Sequence, residues 1–274
     1  MYTMLVTDLD DTLYNWIDFF IPSFESMLEV MHTITNIPVE TLLAEYKLVH
    51  HEKNNVEHPY ASLLLPSVRA AFAGEDDASL KVKLQPAFDA YNQTRNKTLQ
   101  LYEDVCLVLE QLKSQGVAIV GYTEAAKENA WLRLQKLGIA HLFDRLYVAK
   151  TSVAISENEP IFLAAEHKPS PATLLRICAE MGREKNEVLY VGDSLTKDVL
   201  MAKDAGICVA QIKHKRPHND HYEKLVAITS WTAQDFEAEA KRKQIVEERG
   251  ICADYVISSY AEILPLFAAK SKTK

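Results

Sequence analysis

From Leu101 onward the chain alternates short apolar runs with helical stripes, and this alternation limits the possible folds more than any other feature. Val105, Leu107, Val108, Leu109 and Leu112 form a stripe ended by Gly116, and Val117 to Tyr122 then reads as a buried strand that stops at Thr123. Ala125 to Leu137 follows as a helix with Trp131, Leu134 and Leu137 on one side and Gly138 at its carboxyl end. The same grammar predicts strands over Arg145–Ala149, Glu187–Val191, Ile207–Ala210 and Asp254–Ile257, and helices over Pro171–Met181 and Thr196–Ala205. With Leu5 to Thr7 as a first strand, short links between alternating elements imply right-handed crossovers and a three-layer α/β core on a mainly parallel sheet.

Between the first strand and Leu101 the pattern is helical throughout. Ile17, Phe20, Phe24, Met27, Leu28 and Met31 recur at three- and four-residue spacings, with Pro22 marking either a bend or the proper start of the helix. Leu42, Leu43, Tyr46 and Val49 form a second stripe, Tyr60 to Phe72 a third segment interrupted by Pro66, and Ala87 to Leu99 a fourth. The expected organisation is a discontinuous core over residues 1–14 and 101–274, with an all-helical domain inserted over 15–100. Two stretches exceed what such a core requires: Thr151 to His167, and Gln211 to Gly250 with its basic run Lys213 to His218 and a charged helical segment from Thr232.

At 274 residues there is material for one large core, or for a core of about 150 residues with a smaller companion. A formal charge of -8 argues against nucleic acid as a partner and says little about a small anionic substrate, which senses only its local pocket. Cys106, Cys178, Cys208 and Cys252 are widely spaced and read as buried free thiols, not bridges or zinc ligands. No basic-then-apolar leader and no run approaching 18 apolar residues is visible, so no membrane association and a cytoplasmic location are expected.

Open parallel sheets place their sites at the carboxyl ends of the strands. The first strand delivers Asp8 and Asp10; the second ends at Thr123; Lys168 lies beyond the third; Gly192-Asp193-Ser194 and Asp198 follow the fourth. Each has an ordinary reading: Thr123 as a helix cap, Lys168 as a surface lysine, Gly192-Asp193 as a turn, Asp198 as a helix-dipole partner. Together they match phosphoryl transfer. Two carboxylates brought close need a cation, and hard oxygen donors favour Mg²⁺ over zinc. Asp8 could attack phosphorus, Asp10 could protonate the leaving alcohol and then deprotonate water, and Lys168 and Thr123 could hold the phosphoryl oxygens. Mg²⁺ would be held by Asp8, the backbone carbonyl of Asp10, and Asp193.

These residues closely resemble the four motifs of the haloacid dehalogenase-like hydrolase superfamily, whose fold is Rossmann-like. Asp8-Leu9-Asp10-Asp11-Thr12 looks like the first motif, Thr123 the second, Lys168 the third, and Gly192 to Asp198 the fourth. The resemblance implies Asp8 as nucleophile, Asp10 as acid/base, Thr123 as phosphate ligand, and Lys168 as partner of phosphate and nucleophile. It further implies Asp193 as metal ligand and Asp198 as orienter of a metal-bound water or of the lysine. The helical insertion is similar to the family's alpha-helical cap of the first type, and Asp10 favours the phosphatase branch over the dehalogenases. Glu124, where many members carry asparagine or glycine, would add a negative charge near the phosphate unless it faces away; Lys150 is the spare candidate for the third motif.

The expected activity is Mg²⁺-dependent hydrolysis of a small phosphorylated metabolite such as a sugar phosphate, phosphoglycolate or a nucleoside monophosphate, by a monomer or homodimer. A phosphomutase is the near alternative, with a phosphonate-cleaving enzyme and a catalytically silent binding module behind it. Within the cap, His50 to His58 is the most polar stretch and could meet the substrate, or be an ordinary exposed connection.

Overall fold

The computed structural model describes residues 1–53, 55–57, 60–214, 219–228 and 233–268. Its strands are β1 (Met4–Thr7), β2 (Ala118–Tyr122), β3 (Arg145–Val148), β4 (Ile161–Leu163), β5 (Val188–Gly192), β6 (Cys208–Ile212) and β7 (Tyr255–Ile257). Its helices are α1 (Trp16–Thr35), α2 (Val39–Lys53), α3 (Pro66–Ala71), α4 (Asp77–Thr98), α5 (Val105–Ser114), α6 (Lys127–Lys136), α7 (Ala172–Glu180), α8 (Leu200–Ala205), α9 (Asn219–Ile228), α10 (Ala233–Glu248) and α11 (Leu264–Phe267). The chain divides into two compact units: one of Met1–Asn15, Gln100–Lys215 and Glu239–Lys274, the other of Trp16–Leu99 and Arg216–Ala238.

The first unit is a seven-stranded sheet in the order β4-β3-β2-β1-β5-β6-β7, parallel at every pairing. β1 sits at the centre because all four of its residues are buried, as a strand covered on both faces requires. On one face Met4, Val6, Val120, Val188, Tyr190 and Val209 form a continuous core with Leu174, Ile177 and Cys178 of α7 and Met201, Ala202 and Ala205 of α8. α5 packs against β2 on the other. Thr7 pairs with Gly121 on one side and Val191 on the other, so three strands run out at the same level, just before Asp8, Thr123 and Asp193.

β4 was not foreseen: it lies inside the 151–167 stretch, and three residues at a sheet edge, with Leu163 exposed, leave too short a period-two signal to read. The cysteine expectation is corrected. All four are free, but Cys178 alone is buried; Cys106 and Cys208 are half-buried and Cys252 is exposed.

In the second unit α1 lies along α4 and also packs on α2 and α9. Pro22 sits inside α1, which begins at Trp16; the ring removes one backbone donor, and the Ser23 hydroxyl donates to the Phe19 carbonyl at 2.5 Å in the same turn. Phe24 meets Tyr46 of α2 edge-on at 5.0 Å between ring centroids. α4 starts ten residues before Ala87, because Asp76 caps it by accepting from the Ser79 amide at 2.8 Å, and Pro86 is carried within it. α9 belongs to this unit, whereas the sequence pattern groups 216–238 with the core. His221 of α9 pairs with Asp18 at 2.8 Å and Lys224 with Glu25 at 2.8 Å, both partners on α1.

Candidate active site

Asp8, the first residue past β1, is held in register by its amide, which donates to the Val191 carbonyl at 2.8 Å. Its carboxylate is buried, and Lys168 Nζ donates to Asp8 Oδ1 at 2.6 Å and to Asp198 Oδ1 at 2.8 Å. Tyr190 of β5 donates its hydroxyl to the same Asp198 oxygen at 2.7 Å, and the Ser194 amide donates to Asp198 Oδ2 at 3.0 Å. Thr12, still in the acidic run, donates to Asp8 Oδ2 at 3.2 Å. The Lys168 ammonium also faces the rings of Tyr122 and Tyr190, 5.0 and 5.7 Å from their centroids.

The expected helix from Thr196 opens differently. Residues Leu195–Val199 form a π-turn, with the Val199 amide donating to Ser194 O at 3.0 Å, before α8 begins at Leu200. This wider turn folds Asp198 back over the end of β5, which explains Gly192: a Cβ there would lie 2.5 Å from Asp198 Cγ. Gln211 of β6 donates to the Asp193 carbonyl at 2.9 Å and so fixes the neighbouring loop.

Asp10 points elsewhere. Arg133 of α6, buried, donates through Nη1 to Asp10 Oδ1 at 2.6 Å, and Thr123 Oγ1 reaches Asp10 Oδ2 at 3.4 Å. Thr123 Oγ1 also accepts from the Ala125 amide at 3.0 Å, so it caps the turn before α6 while it faces the acid. α6 itself begins at Lys127, two residues later than the periodicity indicated.

Asp8, Asp193 and Asp198 each offer an oxygen within 4.8 Å of the others. Burial raises the Asp8 carboxyl well above the usual carboxylate range; Lys168 opposes this, and the charges of Asp198 and Asp193 add to it. Burial opposes the charged form of Lys168, yet Asp198 and Asp8 hold its ammonium well above the ordinary lysine value. Three carboxylates against one ammonium leave a charge of about -2, which one divalent cation would cancel. The donor set is all oxygen. The residues therefore fit a hard divalent ion, with Asp198 already committed to three protein donors.

Of the residues singled out from the sequence, Asp8, Lys168, Asp193 and Asp198 converge, and Asp10 and Thr123 form an adjoining pair. Lys168, not Lys150, adjoins Asp8; Lys150 is exposed and its carbonyl accepts from the Lys127 amide at 2.9 Å. Glu124 is neutralised by Lys197, 2.6 Å away. His50 is an interior residue at the end of α2, packed on Phe24 and Tyr46, with Nδ1 3.4 Å from the Ile228 carbonyl, and so is not in an exposed connection. His51 is exposed, and His58, like Lys215 to His218 of the basic run, lies outside the described residues. Arg133 and Tyr190 escaped sequence reasoning. Arg133 shares α6 with its apolar face, where an arginine one residue before Leu134 reads as surface; Tyr190 looks like any aromatic of a buried strand.

The sequence profile of the haloacid dehalogenase-like hydrolases matches residues 5–212. Glyceraldehyde 3-phosphate phosphatase of Methanopyrus kandleri is 27% identical over 265 residues, spanning 93% of this chain and all of the relative. Phosphoglycolate phosphatase of Pasteurella multocida is 33% identical over 119 residues, 43% of this chain and 47% of the relative. A HAD-hydrolase of Bacillus subtilis, solved bound to magnesium, shares the fold with a TM-score of 0.51 at 17% identity, covering 98% of this chain and 99% of its own. The parallel sheet, the carboxylates gathered at its strand ends and these likenesses agree: the chain belongs to the haloacid dehalogenase-like hydrolase family, in its phosphatase branch.

Proposed function

We propose that this protein hydrolyses a small phosphorylated metabolite through an aspartyl phosphate on Asp8, with Mg²⁺ held by Asp8, the backbone carbonyl of Asp10, and Asp193. The observation that carries the reading is the Lys168 ammonium bonded at once to the buried Asp8 and Asp198, with the half-buried Asp193 completing a cluster of three carboxylates. When bound, the cation would screen Asp8 from the charge of the phosphate dianion. An oxygen of Asp8 attacks phosphorus while the bond to the leaving oxygen breaks, and Asp10 gives that oxygen its proton. Asp10, now a carboxylate, takes a proton from water; the water oxygen attacks phosphorus, and Asp8 and inorganic phosphate separate. Lys168 and the Thr123 hydroxyl bind the peripheral phosphoryl oxygens, and Asp198 with Tyr190 keeps Lys168 aimed at Asp8.

The relatives' substrates, with the sugar phosphates and nucleoside monophosphates expected from the sequence, make small cytosolic phosphomonoesters the class to test, the helical unit serving as the cap that selects among them. The monomer or homodimer acts in the cytoplasm. Among the described residues no helix is long and apolar enough to cross a membrane. The test is phosphate release from glyceraldehyde 3-phosphate, phosphoglycolate, hexose phosphates and nucleoside monophosphates, with Mg²⁺ and with EDTA. Turnover that EDTA abolishes and Mg²⁺ restores is expected. Isomerisation of a hexose phosphate without phosphate release would replace hydrolysis by a mutase reaction, and undiminished turnover in EDTA would remove the metal from the account.

A further inference from the structure

We infer that Arg133 is a positioning residue for both proton transfers, fixing the direction of the Asp10 carboxylate from the first turns after the second motif. The inference rests on the acid/base role proposed for Asp10. Arg133 is 2% exposed, which is rare for arginine unless it is paired, and its Nη1 lies 2.6 Å from Asp10 Oδ1. Thr123 approaches the other oxygen at 3.4 Å, so the carboxylate plane is set from two sides while Asp10 keeps its side chain 27% exposed. A planar guanidinium defines an orientation that a flexible point charge does not.

The Asp10 backbone is held as well. Asp10 bridges to Tyr14, Tyr14 bridges to Leu101, and the Asp11 amide donates to the Tyr14 carbonyl at 2.8 Å. The buried Tyr14 ring belongs to the same cluster: burial raises its hydroxyl well above the ordinary tyrosine value, the Asp10 charge adds to this, and Arg133 opposes it. Acid and base catalysis fail when the group is turned from the atom it serves. Removing Arg133 would therefore slow protonation of a poor leaving group and attack by water, and leave attack by Asp8 on a good leaving group intact.

Arg133→Met and Arg133→Lys would be compared with wild type and with Asp10→Asn, using glycerol phosphate and p-nitrophenyl phosphate in rapid-mixing experiments with Mg²⁺. Nitrophenolate departs without a proton. For Arg133→Met the expected result is a fall in kcat of about 10² on glycerol phosphate. On p-nitrophenyl phosphate a rapid burst of nitrophenolate, stoichiometric with enzyme, should precede a slow steady rate with a lowered KM. Arg133→Lys should recover part of the steady rate. Unchanged or increased turnover in Arg133→Met would overturn the inference, as would an equal loss on both substrates with no burst. If Asp10→Asn itself keeps full activity, the acid/base reading fails first and the inference with it.

Discussion

The two units treat buried polarity in opposite ways. Among the described residues, the α/β unit buries Asp8, Lys127, Arg133, Lys168 and Asp198, whereas the buried polar side chains of the helical unit are Ser23, His50 and Ser62. In the helical unit each of the three has an uncharged partner: Ser23 bonds the Phe19 carbonyl, Ser62 the Tyr46 hydroxyl at 2.5 Å, and His50 lies against the Ile228 carbonyl. Desolvating charge is unfavourable and is sustained only by close opposite charges and hydrogen bonds. The difference places the buried charge in the sheet unit, where the proposed chemistry needs it. Ion pairs of the helical unit, such as Lys224 with Glu25, are more open to solvent than those of Lys168 with Asp8 and Asp198.

The largest effect should follow from Asp8→Asn, which ends phosphate release by on the order of 10³-fold or more. Thermal stability without metal should hold or rise, because the substitution removes one of the carboxylates whose mutual repulsion and burial disfavour the charged form. Loss of folding in Asp8→Asn would break the contrast, since Asp8 would then be structural. Next comes Lys168→Met, which leaves Asp8 and Asp198 buried without their shared cation and should lower stability by about 3–5 kcal/mol in denaturant titration.

Gly192→Ala pushes a methyl group into Asp198 and should cost about 1–3 kcal/mol, together with a fall in kcat as Lys168 loses its aim. Tyr46→Phe in the helical unit strips the partner from the buried Ser62 hydroxyl and should cost a similar 1–3 kcal/mol. On the smallest substrates its kcat should stay at the wild-type level. If Tyr46→Phe reduced kcat as much as Gly192→Ala, the division of labour between the units would be wrong.

Much of this division is written in the chain. The strand ends are legible because apolar runs stop abruptly at Asp8, Thr123 and Asp193, and the chemistry of those residues reinforces the pattern. What stays hidden depends on partners distant in sequence. Arg133 is an ordinary helix residue until Asp10, far away along the chain, is brought beside it. The π-turn has no local signature, because Leu195 to Val199 would suit an α-helix; its reason is the contact between Asp198 and Lys168. The place of α9 is hidden for the same cause: Asp18 and Glu25, which pair with it, lie some two hundred positions earlier.

The smallest expected effect is a pH dependence from His214, which follows β6 and contacts the Thr12 carbonyl through Nε2 at 3.0 Å while stacking on Tyr102. Burial lowers its pKa below the ordinary histidine value, and the bond to Thr12 only partly offsets this. The unfolded chain therefore binds the proton more readily, so stability falls as pH drops through the ordinary histidine range and is regained above it. His214→Gln should flatten the difference in melting temperature between about pH 7.5 and about pH 5.5. An unchanged difference would show that other groups set the acid limb.

Acid-quenched turnover of the Asp10→Asn protein with a good phosphate donor, followed by peptide mapping, tests the central claim most directly. Slow hydrolysis should let the covalent intermediate accumulate, with one phosphoryl group on the peptide containing Asp8 and on no other. A phosphoryl group on a different residue, or none during measurable turnover, would contradict it.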